Sequence, residues 1–212
     1  MRNCEIRLMV LGMVGTNCYF LSNKETKEMI LVDPADSPER IEAFARKQGY
    51  RPVAILLTHG HFDHILGVDK LRDAWRVPVY ADEAEAEILG DCRKNLSAGL
   101  GGSVFETKAD IYLKDGEEFT LAGFLIRMIH TPGHTAGGCC YYVESEKLLI
   151  SGDTLFEGSC GRTDFPGGSM STLVRSIQEK LFVLPEDVQV YPGHGEPTDI
   201  GREKKYNYVA GM

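Results

Sequence analysis

The sequence predicts a mixed α/β protein in which two β-sheets are packed with helices outside them. Three observations predict it. Short apolar runs rich in branched and aromatic residues recur along the 212 residues. Helix-start signals and helical apolar spacing fall between those runs. The second half keeps the strand-and-helix rhythm of the first, with no linker, low-complexity segment or obvious sequence repeat.

The elements follow in order. Residues 6–11, 18–21 and 29–32 read as strands. Asp36-Ser37-Pro38 opens a helix in which Ile41, Phe44 and Ala45 share one face, and Gly49 ends it. Residues 53–57 form an apolar run that fits a buried strand, 65–75 a helix, 78–80 a short strand and 83–89 a helix. Residues 90–108 are rich in Gly and Ser and read as a long loop. Strands are expected at 111–113, 119–121, 125–130, 139–143 and 148–150. A glycine-rich loop, 158–168, precedes a helix at 169–181, a final core strand at 188–191 and a closing helix at 202–208. The length suits one domain spanning residues 1–212.

Composition narrows the function classes. With 43% hydrophobic and 25% charged residues, the chain is neither disordered nor fibrous. Its 31 acidic and 23 basic residues give a formal charge of −8, which argues against a nucleic-acid or membrane-surface binder. No apolar run approaches the roughly 18 residues of a membrane span. Residues 1–7 carry two arginines ahead of the apolar stretch 8–14, but Glu5 and Gly12 interrupt the pattern of a signal peptide. Two short strands and a cytoplasmic location are expected instead. The cysteines show no C-x2-C spacing and read as reduced, mostly buried thiols. Adjacent Cys139 and Cys140 should face opposite sides of a strand.

The chemistry concentrates in Thr58-His59-Gly60-His61-Phe62-Asp63-His64, on a loop after an apolar strand and at the start of a helix. His59 and His61 can converge on one side of an extended segment, and Asp63 and His64 face a nearby point after the bend. His134, Asp153 and His194 occupy the same setting, each after an apolar strand and beside a glycine. A lone strand-end histidine is usually a hydrogen-bonded loop residue, but a loop residue alone does not explain four such loops. His130 reads as a structural residue supporting the site from outside. Imidazole and carboxylate ligands without thiolate suit Zn, Fe or Mn. Seven ligands exceed one tetrahedral ion and fit two ions bridged by a carboxylate.

At these residues the sequence resembles the metallo-β-lactamase-fold hydrolases, and within them the glyoxalase-II-like group. The resemblance begins at Gly15-Thr16-Asn17-Cys18-Tyr19 and Val32-Asp33-Pro34. It continues through His59-x-His61-x-Asp63-His64, Thr131-Pro132-Gly133-His134-Thr135, Ser151-Gly152-Asp153-Thr154 and Gly161 to Gly168, and ends at Pro192-Gly193-His194-Gly195. It implies a four-layer αββα sandwich. It also implies that His59, His61 and His134 hold a first metal, that Asp63, His64 and His194 hold a second, and that Asp153 bridges them. The implied cofactors are two divalent ions, foremost Zn, with Fe or Mn as alternatives. A metal-bridging hydroxide would cleave a small-molecule thioester, S-lactoylglutathione or a related acyl thioester. Asp63, His64 and Asp153 are then the candidate catalytic residues, Asp63 also orienting the nucleophile.

Two departures limit the substrate. Only 18 residues follow His194, so the helical domain of the long glyoxalase II enzymes is not expected, and the chain resembles the short single-domain subgroup. The Gly161-Arg162-Thr163-Asp164-Phe165 segment also resembles persulfide dioxygenases, in which His59, His134 and Asp153 would hold a single iron. The Pro192-Gly193-His194-Gly195 ending leans to the hydrolases. A non-catalytic binding module on the same fold is the alternative of another class, and a true β-lactamase is not expected. Candidate substrate contacts are Arg162 and Asp164, which read foremost as an ion pair, and Asn95, in a loop (95–102) expected to border the cleft. Cys160 reads as a buried thiol in the site loop, and Lys204, Lys205 and Tyr206 as a solvated helix face.

Overall fold

The computed structural model describes residues 3–212; Met1 and Arg2, part of the segment weighed above as a signal-like start, lie outside the described residues. Two six-stranded sheets form the centre. In chain order, the first holds β1 (Cys4–Leu11), β2 (Thr16–Asn23), β3 (Glu28–Val32), β4 (Arg51–Leu56), β5 (Val79–Asp82) and β6 (Ile111–Leu113). The second holds β7 (Glu118–Leu121), β8 (Phe124–His130), β9 (Cys139–Val143) and β10 (Leu148–Gly152). A small hairpin of β11 (Leu155–Phe156) and β12 (Ser159–Cys160) follows, and β13 (Gln189–Pro192) and β14 (Thr198–Asp199) complete the second sheet.

The side-chain alternation of these strands dictates the layers. On β2, Tyr19 and Leu21 enter the core between the sheets, while Cys18 and Phe20 enter the core under the helices. On β9, Cys139, Tyr141 and Val143 face the first sheet, while Cys140 and Tyr142 face the opposite side with Leu173, Ile177 and Leu181. A strand that is apolar on both faces must be covered on both. Helices α1 (Pro38–Gln48) and α3 (Val68–Trp75) cover the first sheet, and α5 (Met170–Ser176) with the π-turn Ile177–Leu181 covers the second. The result is helix, sheet, sheet, helix. None of the described helices is long and apolar enough to cross a membrane.

The topology brings the chemistry to one edge. Strand β10 pairs parallel with β13 and antiparallel with β9, which in turn pairs antiparallel with β8, so β8, β10 and β13 run the same way. Their C-terminal ends therefore share an edge, where β4 of the first sheet also ends. Two links tie the sheets there: Cys139 N–H to the Thr58 carbonyl at 2.9 Å and Tyr141 OH to the Leu57 carbonyl at 2.8 Å.

Four expectations needed correction. The continuous helix over 65–75 is split into α2 (Phe62–Ile65) and α3, because Gly67 donates its N–H to the Pro34 carbonyl at 2.8 Å and a Cβ there would stand 2.7 Å from that oxygen. The segment 83–89 is a 3-10 turn (Glu83–Glu85) followed by α4 (Ala86–Leu89), with Asp82 capping the Ala84 N–H. The glycine-rich stretch 158–168 begins in the hairpin β11–β12 rather than as loop throughout. The closing helix α6 (Ile200–Tyr206) starts two residues earlier than expected, since the Asp199 side chain accepts from Arg202 N–H at 2.8 Å.

Candidate metal centre

The four strand-end loops meet at that edge and bring all seven candidate ligands together. Ligand atoms of His59, His61 and His134 lie within 4.8 Å of one another, as do those of Asp63, His64 and His194. Asp153 stands between the two groups: its Oδ2 is 3.4 Å from His134 Nε2 and 3.6 Å from His194 Nε2, and its Oδ1 is 3.5 Å from His64 Nε2. Gly193 makes this closeness possible, because a Cβ there would fall 2.2 Å from Asp153 Oδ1.

Hydrogen bonds fix which imidazole nitrogen faces inward. The Thr58 hydroxyl donates to Asp33 Oδ2 at 2.6 Å, so its oxygen accepts from His59 Nδ1–H at 3.1 Å and leaves His59 Nε2 free. His64 Nδ1–H donates to the same Asp33 carboxylate at 2.9 Å, leaving its Nε2 free. His134 Nδ1–H donates to the Arg162 carbonyl at 2.6 Å, so its Nε2 is a lone pair directed at the site, 2.9 Å from His61 Nδ1. Carboxylate and carbonyl partners behind a histidine are the usual support of a metal ligand.

The electrostatics of the ligands suit a cation. Burial, reinforced by the neighbouring imidazoles, pushes His59 well below its ordinary pKa and His61 down to about 3, so both are neutral and ligand-competent. Burial opposes the charged form of His64 too, but Asp63, Asp153 and Asp33 outweigh it and raise His64 to about 10. Burial likewise opposes ionisation of Asp63, but His64, His194 and the Thr16 hydrogen bond hold it well below the usual carboxylate range. Among the described residues five buried side-chain polar atoms lack a hydrogen-bond partner. Four belong to this centre: His59 Nε2, His61 Nε2, His64 Nε2 and Asp153 Oδ1. Buried polar atoms are rarely left unpaired, so inward-facing nitrogens and a carboxylate oxygen orphaned together fit metal ions.

Side chains that the sequence did not mark as part of the site hold it from behind. Asp33 joins Thr58 and His64, accepting also from Thr58 N–H at 2.8 Å. The Thr16 hydroxyl donates to Asp63 Oδ2 at 2.8 Å. Asn17 clamps the His194 loop by donating to the Pro192 and Gly195 carbonyls, both at 2.9 Å. Glu85, fully buried, accepts from Gly60 N–H at 2.9 Å, from Gly137 N–H at 2.8 Å and from the Thr135 hydroxyl, and so ties the His61 loop to the His134 loop. The Gly-Thr-Asn and Val-Asp-Pro runs were legible as motifs, and their proximity to the ligands was the missing signal. Glu85 gave no signal, since an acidic residue in a predicted helix reads as solvated. His130 lies outside the ligand groups and pairs with Asp82 Oδ2 at 2.7 Å.

His61, Asp63, His134, Asp153 and His194 floor a cleft of about 310 Å³. Arg162 lies on its wall, its guanidinium paired with Asp164 at 2.7 Å and stacked 4.0 Å from the centre of the Phe165 ring. Asp164 is not on the wall, and neither is Asn95. Asn95 is fully buried because its side chain is consumed within its own loop: it donates to the Phe105 carbonyl at 2.8 Å and accepts from Ser97 N–H at 2.9 Å. The loop does border the cleft, through Leu96 and Leu100. Cys160 is half-buried, with its sulfur 2.9 Å from the Tyr208 hydroxyl.

Comparison with known proteins adds the following. The metallo-beta-lactamase superfamily matches residues 11–194. A probable metallo-hydrolase of Bacillus subtilis is 40% identical over 202 residues, 95% of each chain. A hydroxyacylglutathione hydrolase of Haemophilus influenzae is 32% identical over 209 residues, 96% of each chain. Among solved structures, the BLEG-1 B3 metallo-beta-lactamase superposes with a TM-score of 0.92 at 39% identity, over 96% of this chain and 98% of that one. The di-iron-bound form of TTHA1623 superposes at 0.83 and 34% identity, over 95% and 98%.

Proposed function

The chain belongs to the metallo-beta-lactamase superfamily, and from that membership we propose that it is a dinuclear metallo-hydrolase that cleaves acyl thioesters, as its hydroxyacylglutathione-hydrolase relative is named to do. The observation that carries the reading is the convergence of seven inward-facing ligands, five of them lining an open cleft, with orphaned nitrogen and oxygen atoms among the seven. A closed structural site would have no such opening.

His59, His61 and His134 would hold one ion and Asp63, His64 and His194 the other, with Asp153 between them. Zn, Fe and Mn all suit this donor set, and the di-iron-bound form of one structural relative supports keeping iron among them. Bound divalent ions would lower the pKa of water towards about 7 and polarise a carbonyl. The chain supplies the rest. Ionised Asp63 is an acceptor held in place by Thr16, suited to orient the attacking water. The His59, His64 and His134 rings present Nε2 to the site because Thr58, Asp33 and the Arg162 carbonyl engage their Nδ1 atoms on the outer side. In the reaction, a water oxygen bonds to the acyl carbon, the C–S bond breaks, and the thiol leaves with the second proton. No side-chain nucleophile is needed, and burial pushes the Cys160 thiol up, away from the thiolate form.

Elemental analysis combined with a thioester panel tests the reading. Two divalent ions per chain and hydrolysis of glutathione or coenzyme A thioesters are expected, with Asp63→Ala and His134→Ala losing most activity. Background rates across the panel would end the proposal. One iron per chain with oxygen uptake on glutathione persulfide would replace it by the dioxygenase reading. Turnover of a cephalosporin alone would point to the activity named for the BLEG-1 relative.

A further inference from the structure

Much of the cleft wall is hydrocarbon. Met13 and Val14, at the tip of the β1–β2 hairpin, are 78% and 51% exposed beside it, and Leu100 is 55% exposed. Phe62, Leu96 and Phe165 line the cleft as well. Scattered exposed apolar residues need no explanation, but several gathered on one cleft mark a binding surface.

The wall is also built. Leu96 has φ +68°, a left-handed conformation that bulky side chains avoid. It is held there by its neighbours: the Asn95 side chain and the Ser97 hydroxyl both donate to the Phe105 carbonyl, at 2.8 and 3.0 Å. The Asn95 carbonyl accepts from Phe62 N–H at 2.8 Å, which joins the loop to the segment carrying His61 and Asp63. Strain held by surrounding structure tends to lie at functional positions.

Charge supplies the complementary argument. Among the described residues the single Lys or Arg on the cleft wall is Arg162, and its charge is already paired with Asp164, which takes two of its five donors. Glutathione brings two carboxylates, and among the described residues this wall offers no unpaired side-chain cation to receive them. We propose that the cleft selects thioesters with an unsubstituted hydrocarbon acyl chain, on a thiol without carboxylates, over the hydroxyacyl ester of glutathione. The proposal rests on the thioesterase reading above and names its substrate class.

The test uses the protein purified with its metals. Acetyl, butyryl and hexanoyl thioesters of N-acetylcysteamine, a neutral thiol, are compared with S-lactoylglutathione. The value of kcat/KM is expected to rise about fourfold for each methylene that the wall buries, and hexanoyl-N-acetylcysteamine should exceed S-lactoylglutathione by at least about tenfold. Leu100→Ser and Met13→Ser should lower the hexanoyl-to-acetyl ratio. A flat acyl series, or S-lactoylglutathione as the better substrate, would overturn the proposal. Calorimetric binding of the S-hexyl and S-methyl thioethers of N-acetylcysteamine separates this from the parent reading. Tighter S-hexyl binding without turnover of any thioester would sustain the apolar selectivity and end the thioesterase reading. Equal binding of the two would overturn the selectivity whatever the turnover.

Discussion

Glu85→Gln removes one of the ties behind the first ligand group while keeping the side chain's size. The carboxylate is 1% exposed, and each oxygen accepts from a backbone N–H: Oε2 from Gly60, Oε1 from Gly137. An amide has one acceptor oxygen, so whichever way it lies one of these N–H groups loses its partner. A buried donor left unpaired costs about 1–3 kcal/mol. A chain of this size loses roughly 2–4 °C of Tm per kcal/mol, so a loss of about 2 kcal/mol lowers the metal-free Tm by roughly 4–8 °C. Gly60 lies between His59 and His61, and Thr135 follows His134, so the loosened loops also misplace ligands. Outer partners of this kind are worth about 10–100-fold in metal affinity. The assays are thermal unfolding in chelator and calorimetric titration of zinc into the metal-free protein. A lower Tm with unchanged zinc affinity would show Glu85 to be a packing residue only. An unchanged Tm would refute the hydrogen-bond reasoning itself.

Two further outcomes test the geometry. In Gly193→Ala the new methyl would meet Asp153 Oδ1 at 2.2 Å and His64 Cε1 at 2.9 Å. Metal content should fall and activity drop by about 100-fold, the scale of misplacing a reacting group by about 1 Å; circular dichroism should be unchanged, and full metal loading would contradict the close approach. The hydrogen bond to Asp82 raises the His130 pKa above its ordinary value, against partial desolvation. A raised folded-state value stabilises below the ordinary histidine pKa, and that stability is lost as pH rises through the folded value. The Tm advantage of wild type over His130→Gln should therefore be largest near pH about 5.5 and shrink towards pH about 9; an advantage that grows with pH would reverse the assignment.

Much of this was legible before any coordinates. The rhythm of strands with helices between them suggested two sheets with helices outside, and the family resemblance implied the four layers that the two-faced burial of residues 18–21 and 139–143 completes. The ligands were legible because their residue types recur in one setting, directly after apolar strands and beside glycine. The break at Gly67 was not, because an apolar helical pattern continues through it and only the Pro34 carbonyl, packed against it from an earlier loop, interrupts it.

The sequence by itself determined the mixed α and β character and the seven candidate ligands, because periodicity and residue chemistry are local properties. Tertiary structure alone decided which partners complete the site. Glu85 reaches Gly60 and Gly137 across 25 and 52 residues, and Asp33 reaches His64 across 31. It decided as well that the loop at 95–102 presents leucines rather than Asn95 to the cleft. In a loop no period sets the direction of a side chain. The buried hydrogen bonds of Asn95 and Ser97 set it, turning the polar groups inward and leaving the hydrocarbon to face the substrate.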